Sequence, residues 1–261
     1  MQVHYISTQN LRGFYNHKNM PQVNLAPYTT NFSNYALGNI RRTGVGSWTS
    51  IRTGAPLTGN VSQTSNTTKS IGVAWTGGGR GSYSLYRNYI WYDVTAYQSV
   101  TITSAELTCP TQAGLTALTL PVIAVDSSTA FSNNSNTTLS LSQFLSTSFV
   151  AYSNSTQWAQ ITGFQQITLN NTAITAIQSG NNFGVGIIDH NYDFQNLQPS
   201  GIGFDGFYLG DMSNATQRSR WTLTLNYVAG WSAGDMNGVA NGDMGEVNGV
   251  DISDISEING V

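Results

Sequence analysis

The segment YRNYIWYDVT, starting at Tyr86, sets Tyr89, Trp91 and Asp93 against Ile90, Tyr92 and Val94 at a period of two. Successive side chains of an extended strand point to opposite faces, so the pattern predicts a strand with one face in a core. SVTITSAELTCP continues the alternation as far as Pro110, which is expected to stop it because proline brings no N–H to a ladder. RSRWTLTLNYV sets Trp221, Leu223 and Leu225 against Thr222, Thr224 and Asn226 and predicts a closing strand. LTLPVIAVDSS and TQWAQITGFQQITLN read as further strands, and FGVGIIDHNY as a buried strand opening into an acidic loop. NTAITAIQSGNN predicts one short helix, with Asn171 or Thr172 as its cap and Gly180 near its end. Between these elements lie Gly-, Ser-, Thr- and Asn-rich loops such as TGNVSQTSNTTKS and TGGGRGS. Short strands on such connections, with little helix, predict an all-β chain: a jelly-roll-like antiparallel β-sandwich over residues 26–230. Residues 1–25 mix His4, Arg12, His17 and Lys18 with Phe14 and Tyr15 without a period and are expected to be an N-terminal arm on the domain or on a neighbour.

Residues 231–261 follow a different rule. Asn237, Asn248 and Asn259, each before a glycine, stand eleven residues apart, and Asp243 and Asp254, then Glu246 and Glu257, keep the same step. Apolar residues recur through the segment at steps of three and five, close to the eleven-residue period of a right-handed helical stripe. Asn-Gly is a strong turn signal, and glycine inside a helix costs about 1 kcal/mol relative to alanine. The reading is therefore short helical turns, beginning near DISDISE, punctuated by Asn-Gly bends. Repeats this few cannot bury their own apolar stripe, since about three or more neighbouring units are needed. The tail is expected to dock, with Val239, Val247, Asn248, Val250, Ile255 and Ile258 as its assembly interface.

Composition narrows the classes. Charged residues are only 9% of the chain, while 26 Asn, 28 Ser and 30 Thr give an uncharged polar surface. The net charge of −3 hides a polarity, because eight Lys and Arg and no acid precede Asp93, seven acids and no Lys or Arg occupy 93–217, Arg218 and Arg220 follow, and six acids fill the tail. Such ends suit head-to-tail contact between subunits, or basic and acidic strands that face each other within one fold. The positives are spread thinly and no recognition motif accompanies them, so nucleic acid is not an expected partner. The lone Cys109 excludes an intrachain disulfide and reads as a buried small hydrophobe. No signal-peptide pattern opens the chain and no membrane-length apolar run occurs, so synthesis in a cytoplasm without membrane insertion is expected.

The order RNYIWYDVT, VTITSAELTCP, short helix with NNFGVGI, then SRWTLTLNYV resembles the DNRLRE-type sandwich modules, relatives of carbohydrate-binding modules on surface proteins. The similarity covers residues 80–228, and the loops here are longer and richer in Asn. The tail is similar to INGV repeats of bacteriophage structural proteins and some bacterial surface proteins. Together these resemblances imply a β-sandwich carried on a virion as a capsid decoration, fibre or tail accessory protein. The partners they imply are other virion proteins or further copies of the chain. The alternative is a carbohydrate-binding adhesin whose partner is a host surface glycan.

No reaction is expected. Among the three histidines only His190, in IIDHNYD, has acids beside it in Asp189 and Asp193, and it reads as a solvated loop residue. GGGRG lacks the Lys-Ser/Thr of a phosphate cradle. In the tail, Asp235, Asn237, Asn241, Asp243 and Glu246 occupy EF-hand-like positions, but Val239 and Ala240 stand where that loop needs its central ligand and glycine. No metal or cofactor is expected, nor any catalytic residue. For glycan contact the candidates are Trp48, Tyr83 and Tyr86, aromatics near Gly-rich loops, with core packing as their ordinary use.

Overall fold

The computed structural model describes residues 21–27, 37–53, 62–64, 69–76, 81–98, 100–112, 119–127, 148–159, 161–200, 203–209, 216 and 219–228, with four short strands in the tail. The chain folds as an antiparallel β-sandwich. Its strands in order are β1 (Gln22–Leu25), β2 (Leu37–Val45), β3 (Ser62–Thr64), β4 (Lys69–Trp75), β5 (Ser82–Asp93), β6 (Thr101–Thr111), β7 (Thr119–Asp126), β8 (Thr156–Ala159), β9 (Gly163–Thr168), β10 (Asn182–Asp189), β11 (Gly203–Leu209) and β12 (Thr222–Val228). Two helices join them, α1 (Trp48–Thr53) and α2 (Asn171–Ser179).

One layer runs β3-β2-β5-β10-β7-β8 and the other β1-β12-β6-β9, every pair antiparallel. The layers join at one side because β5 is long enough to fork. Its first half pairs β4 and its second half pairs β10, and β4 carries β11, which meets β6 at Leu209 and Thr111. At the other side the Trp158 Nε1 of β8 donates to the Gln166 carbonyl of β9 at 3.1 Å. The four residues 22–25 of the segment expected to be an arm are thus an edge strand; residues 1–20 lie outside those described.

The main core fills the space between layers. Trp221, with Leu223 and Leu225 of β12, which follows it, Leu107 and Cys109 from β6, and Tyr92, Phe183, Val185 and Ile187 from the facing layer are all buried there. The alternation read for β12 is present as expected. β5 differs, since its second face is buried too: Tyr89 and Trp91 are covered as fully as a core requires. Pro110 does not end β6 but lies inside it, beyond Thr108, where pairing with β12 has stopped. α2 forms where expected, but its cap is Asn170, whose side chain accepts from Ala173 N at 3.1 Å. Gly72, at φ +120°, separates Ile71, in the main core, from Val73, which packs in a second cluster on the outer side of the first layer.

Burial raises the Tyr92 hydroxyl and the Cys109 thiol well above their ordinary values, and burial with the neighbouring Asp126 raises Tyr152. Below the unfolded values these groups are neutral in both states, so their burial carries no titration cost. Above about 10 for tyrosine and about 8.5 for the thiol the unfolded chain releases protons that the folded chain keeps, and stability falls as pH rises. Urea midpoints should therefore be flat from pH 6 to 8 and drop steeply above pH about 10, and Tyr152→Phe should flatten the upper part of that drop. A midpoint unchanged to pH 11 would contradict the burial of these groups.

Candidate functional site

The two outer faces of the sandwich differ. On the first layer, α1 and the π-helical turn His190–Phe194 cover Tyr83, Leu85 and Arg87 of β5. Arg87, fully buried, donates from Nε and Nη2 to the two carboxylate oxygens of Asp193 at 2.6 Å each. Arg52 of α1 donates from Nε to the Asp193 carbonyl at 2.5 Å, and the same Nε lies 3.6 Å from Oδ1. The Phe149 ring covers the Arg87 guanidinium at 4.8 Å. One residue of the turn thus ties β5, α1 and the turn together. Burial pulls Arg52 below its ordinary value, with Asp193 raising it and Arg87 lowering it; Arg42, also buried, is lowered by burial and then by Arg87.

This pairing decides between the two readings of the charge polarity for these residues. Arg42, Arg52 and Arg87 lie inside the fold, and an acid from the second half of the chain serves two of them. They are not a cationic surface for a neighbour's tail. His190 does not join an acid-base or metal group: its Nδ1 lies 3.2 Å from Asn191 Oδ1 and its ring stacks on Phe194. Asp189 accepts from Tyr192 N at 2.6 Å and so caps the turn. Among the described residues no cluster of three metal-ligating side chains occurs. GGGRG lies at residues 77–81, of which only Gly81 is described.

Of the expected glycan contacts, Trp48 and Tyr83 fall on this covered face. Trp48 is only 2% exposed, packed with Ile51, Val73 and Leu85 beneath Tyr83. A ring so covered offers no face for a sugar, and Trp48 is corrected to a core residue. Tyr83 is half-buried, 5.6 Å from Trp48 at a tilt of 57°, and its hydroxyl accepts from Gln198 Nε2 at 3.2 Å. Trp75 pairs across the strand with Tyr83, lies 5.5 Å from Tyr192 and donates from Nε1 to the Ser200 carbonyl at 2.7 Å. A Cβ at Gly203 would meet the Trp75 ring at 3.0 Å, so the glycine admits that ring. Tyr86 is half-buried on the opposite side of β5 from Leu85 and Arg87. The three candidates therefore do not form one platform.

On the second layer the outward positions form rows across four strands. Gln22, Asn226 and Ser104 make one; Asn24, Thr224, Glu106 and Thr168 the next; Thr222, Thr108 and Gln166 a third. Thr224 Oγ1 donates to Asn24 Oδ1 at 2.9 Å and Asn226 Nδ2 to Ser104 Oγ at 2.9 Å, which fixes their orientation. At the end of β9 stands Phe164, 51% exposed, with the Arg220 guanidinium 5.0 Å from its ring centre.

In the tail the described residues are strands, and of DISDISE, where helical turns are expected to begin, only Asp251 is described, at the end of one of them. Asp235–Met236 pairs with Val239–Ala240, and Glu246–Val247 with Val250–Asp251, each pair a sheet of its own. The residues between them in sequence are Asn237-Gly238 and Asn248-Gly249, and two-residue Asn-Gly links favour hairpins because both residues tolerate positive φ. The eleven-residue period is thus the spacing of the hairpins rather than of a helical stripe. Val239 and Ala240, which spoil the calcium loop, are strand residues. Of the expected interface, Val239, Val247 and Val250 lie on these strands, while Asn248, Ile255 and Ile258 fall outside the described residues. No helix of the described residues is long and apolar enough to cross a membrane. No family model matches this chain, and no curated protein matches it.

Proposed function

We propose that this chain is a virion structural protein, a capsid decoration, fibre or tail accessory component, in which a jelly-roll-like sandwich is held in a larger assembly through its tail. The observation that carries the reading is the form of the tail. Each described unit is a hairpin with two residues per strand, repeated at eleven residues. An isolated two-stranded hairpin is at best marginally stable in water, and three or more strands or a covering element are needed. Hairpins this short gain their stability against another surface, which an assembly provides. The low charge and the abundance of Asn, Ser and Thr suit a particle surface.

The test separates folding from assembly. A chain ending at Val228 keeps all twelve sandwich strands and should melt within about 2 °C of the full chain. It should fail to join the oligomer or particle that the full chain forms, as read by light scattering and electron microscopy. Replacing Asn248-Gly249 with Ala-Ala preserves length and charge but removes the favoured turn, and should weaken association in the same assay. Assembly by the truncated chain as complete as that of the parent would refute the reading.

A further inference from the structure

We propose that β9 is a pairing edge for a second copy of this chain: two copies meet antiparallel along Gly163–Thr168, and the β1-β12-β6-β9 layer of one runs on into that of the other. This contact is separate from the tail and does not depend on it. Among the described strands β9 pairs with β6 alone, so it ends the layer. Two observations give the direction of its peptide groups. Pro110 pairs with Phe164, and proline brings no N–H to that rung. Trp158, inside the core, reaches the Gln166 carbonyl from β8 and not from β6. Phe164, Gln166 and Thr168 therefore turn their N–H and C=O groups away from β6 along the open edge, and the carbonyl that serves Trp158 keeps a second lone pair.

Sheet edges are ordinarily blunted by charge, proline or shortness. β1, at the far edge of the same layer, has four residues set between Pro21 and Pro27, and β3 and β8, at the edges of the other layer, have three and four. β9 has six, none of them charged and none proline, and residues 127–188 carry no Lys, Arg, Asp or Glu. Ile161 and Phe164, at the start of this edge, are 50% and 51% exposed. Arg220 stands over Phe164 from the β12 side of β6, inside the layer, and not from the open side.

The charges beside the edge fit it to its own copy. A two-fold axis normal to the sheet keeps outward side chains outward, so Gln166 meets Gln166 of the other copy and Phe164 meets Thr168, with no like charges opposed along the strand. In each copy Thr168 pairs with Glu106, and Phe164 lies under Arg220. The pairing therefore brings Glu106 of one copy within two strand spacings, about 10 Å, of the ring that carries Arg220 of the other, and symmetry makes the approach twice. Within one chain the two charges belong to rungs four residues apart on β6, those of Glu106 and Pro110. The acidic tail is a poorer occupant, because its described strands are two residues long against the six of β9.

Oxidative cross-linking of the full chain tests this. Gln166→Cys sets one thiol of each copy across the axis at the Cα separation of about 5.5 Å of a hydrogen-bonded pair, within the range of a disulfide. The native Cys109 is fully buried and does not compete. At about 10 μM protein, thiols held at the mM effective concentration of a formed contact should join on the order of a hundredfold faster than those of Val45→Cys, an exposed position on the other layer. In the Gln166→Cys background, Glu106→Arg and Arg220→Glu should each slow the reaction about fivefold, and the two together should restore it, because the swap returns opposite charges to the same approach. Melting curves confirm that each variant is folded. Cross-linking at residue 166 no faster than at residue 45, or a double swap as slow as the single changes, would each overturn the proposal. Either failure leaves the tail reading intact, since that is measured separately by truncation.

Discussion

Asp193→Ala is expected to destabilise the fold by about 3–5 kcal/mol, the cost of breaking a buried ion pair by removing one partner. The carboxylate lost is fully buried, and both its oxygens accept from Arg87 at 2.6 Å. Arg87 lies at the centre of β5 and cannot turn to solvent without opening the layer over it, so its charge would stay buried without this partner. At about 2–4 °C per kcal/mol for a domain of this size, the melting temperature should fall by about 10 °C. The comparison that identifies the cause is the double variant Asp193→Leu with Arg87→Met. It removes both charges and should lie closer to the parent than Asp193→Ala does, because replacing a whole buried pair by apolar groups is often neutral. Hydrogen exchange should also rise across residues 189–200, whose turn Asp193 anchors to α1 and β5. Salt discriminates as well: exposed pairs weaken at high ionic strength, whereas this one should hold its contribution in 1 M NaCl. A melting temperature within about 2 °C of the parent for Asp193→Ala would mean that the pair is open to water.

Local pattern fixed what depends on local pattern. The alternation of Trp221, Leu223 and Leu225 marked one face of β12, and all three are buried as read. The same rule applied to β5 predicts one buried face where two are present, because the cover over Leu85 and Arg87 comes from distant segments, α1 and the turn at Asp193. Arg87 and Asp193 are separated by 106 positions, and nothing in YRNYIWYD or IIDHNYD announces that they meet. The charge polarity hinted at such pairing without naming partners. The cap of α2 was misplaced by one residue because Asn170, Asn171 and Thr172 are all competent caps, and only the backbone geometry chooses among them. In the tail, apolar spacing near 3.67 residues suggests helix while Asn-Gly signals turns; over the described residues the turn chemistry holds, since a two-residue link sets strand pairing directly. Trp48 stood near glycine-rich loops and looked available, but it is the first residue of α1 and faces Ile51 and Leu85. The edge at β9 escaped notice because FQQIT reads as an ordinary alternating strand, and alternation does not say which strand ends a layer.

Trp158→Ala should rank beside Asp193→Ala, with a loss of about 3–5 kcal/mol, as for other fully buried aromatics cut to alanine. Trp158 is completely buried at the open side of the sandwich, on the outermost strand of the first layer. Its indole fills the gap between layers, and its Nε1 reaches the Gln166 carbonyl on the outermost strand of the second. Trp158→Phe retains most of the volume and removes the donor, so it should cost less, about 1–3 kcal/mol from the unpaired carbonyl together with the small loss of packing. The two variants should also differ from Asp193→Ala in where they act. Loosening β9 disturbs the edge that meets the second copy, so a folded Trp158→Phe protein that also carries Gln166→Cys should cross-link more slowly. Asp193→Ala, which acts beneath the opposite face, should leave that cross-linking unchanged at temperatures where it is folded. Urea titration with oxidative cross-linking on the same samples reads both effects. If Trp158→Phe lowered neither stability nor cross-linking, the indole hydrogen bond would have no part in holding the two layers together at that side.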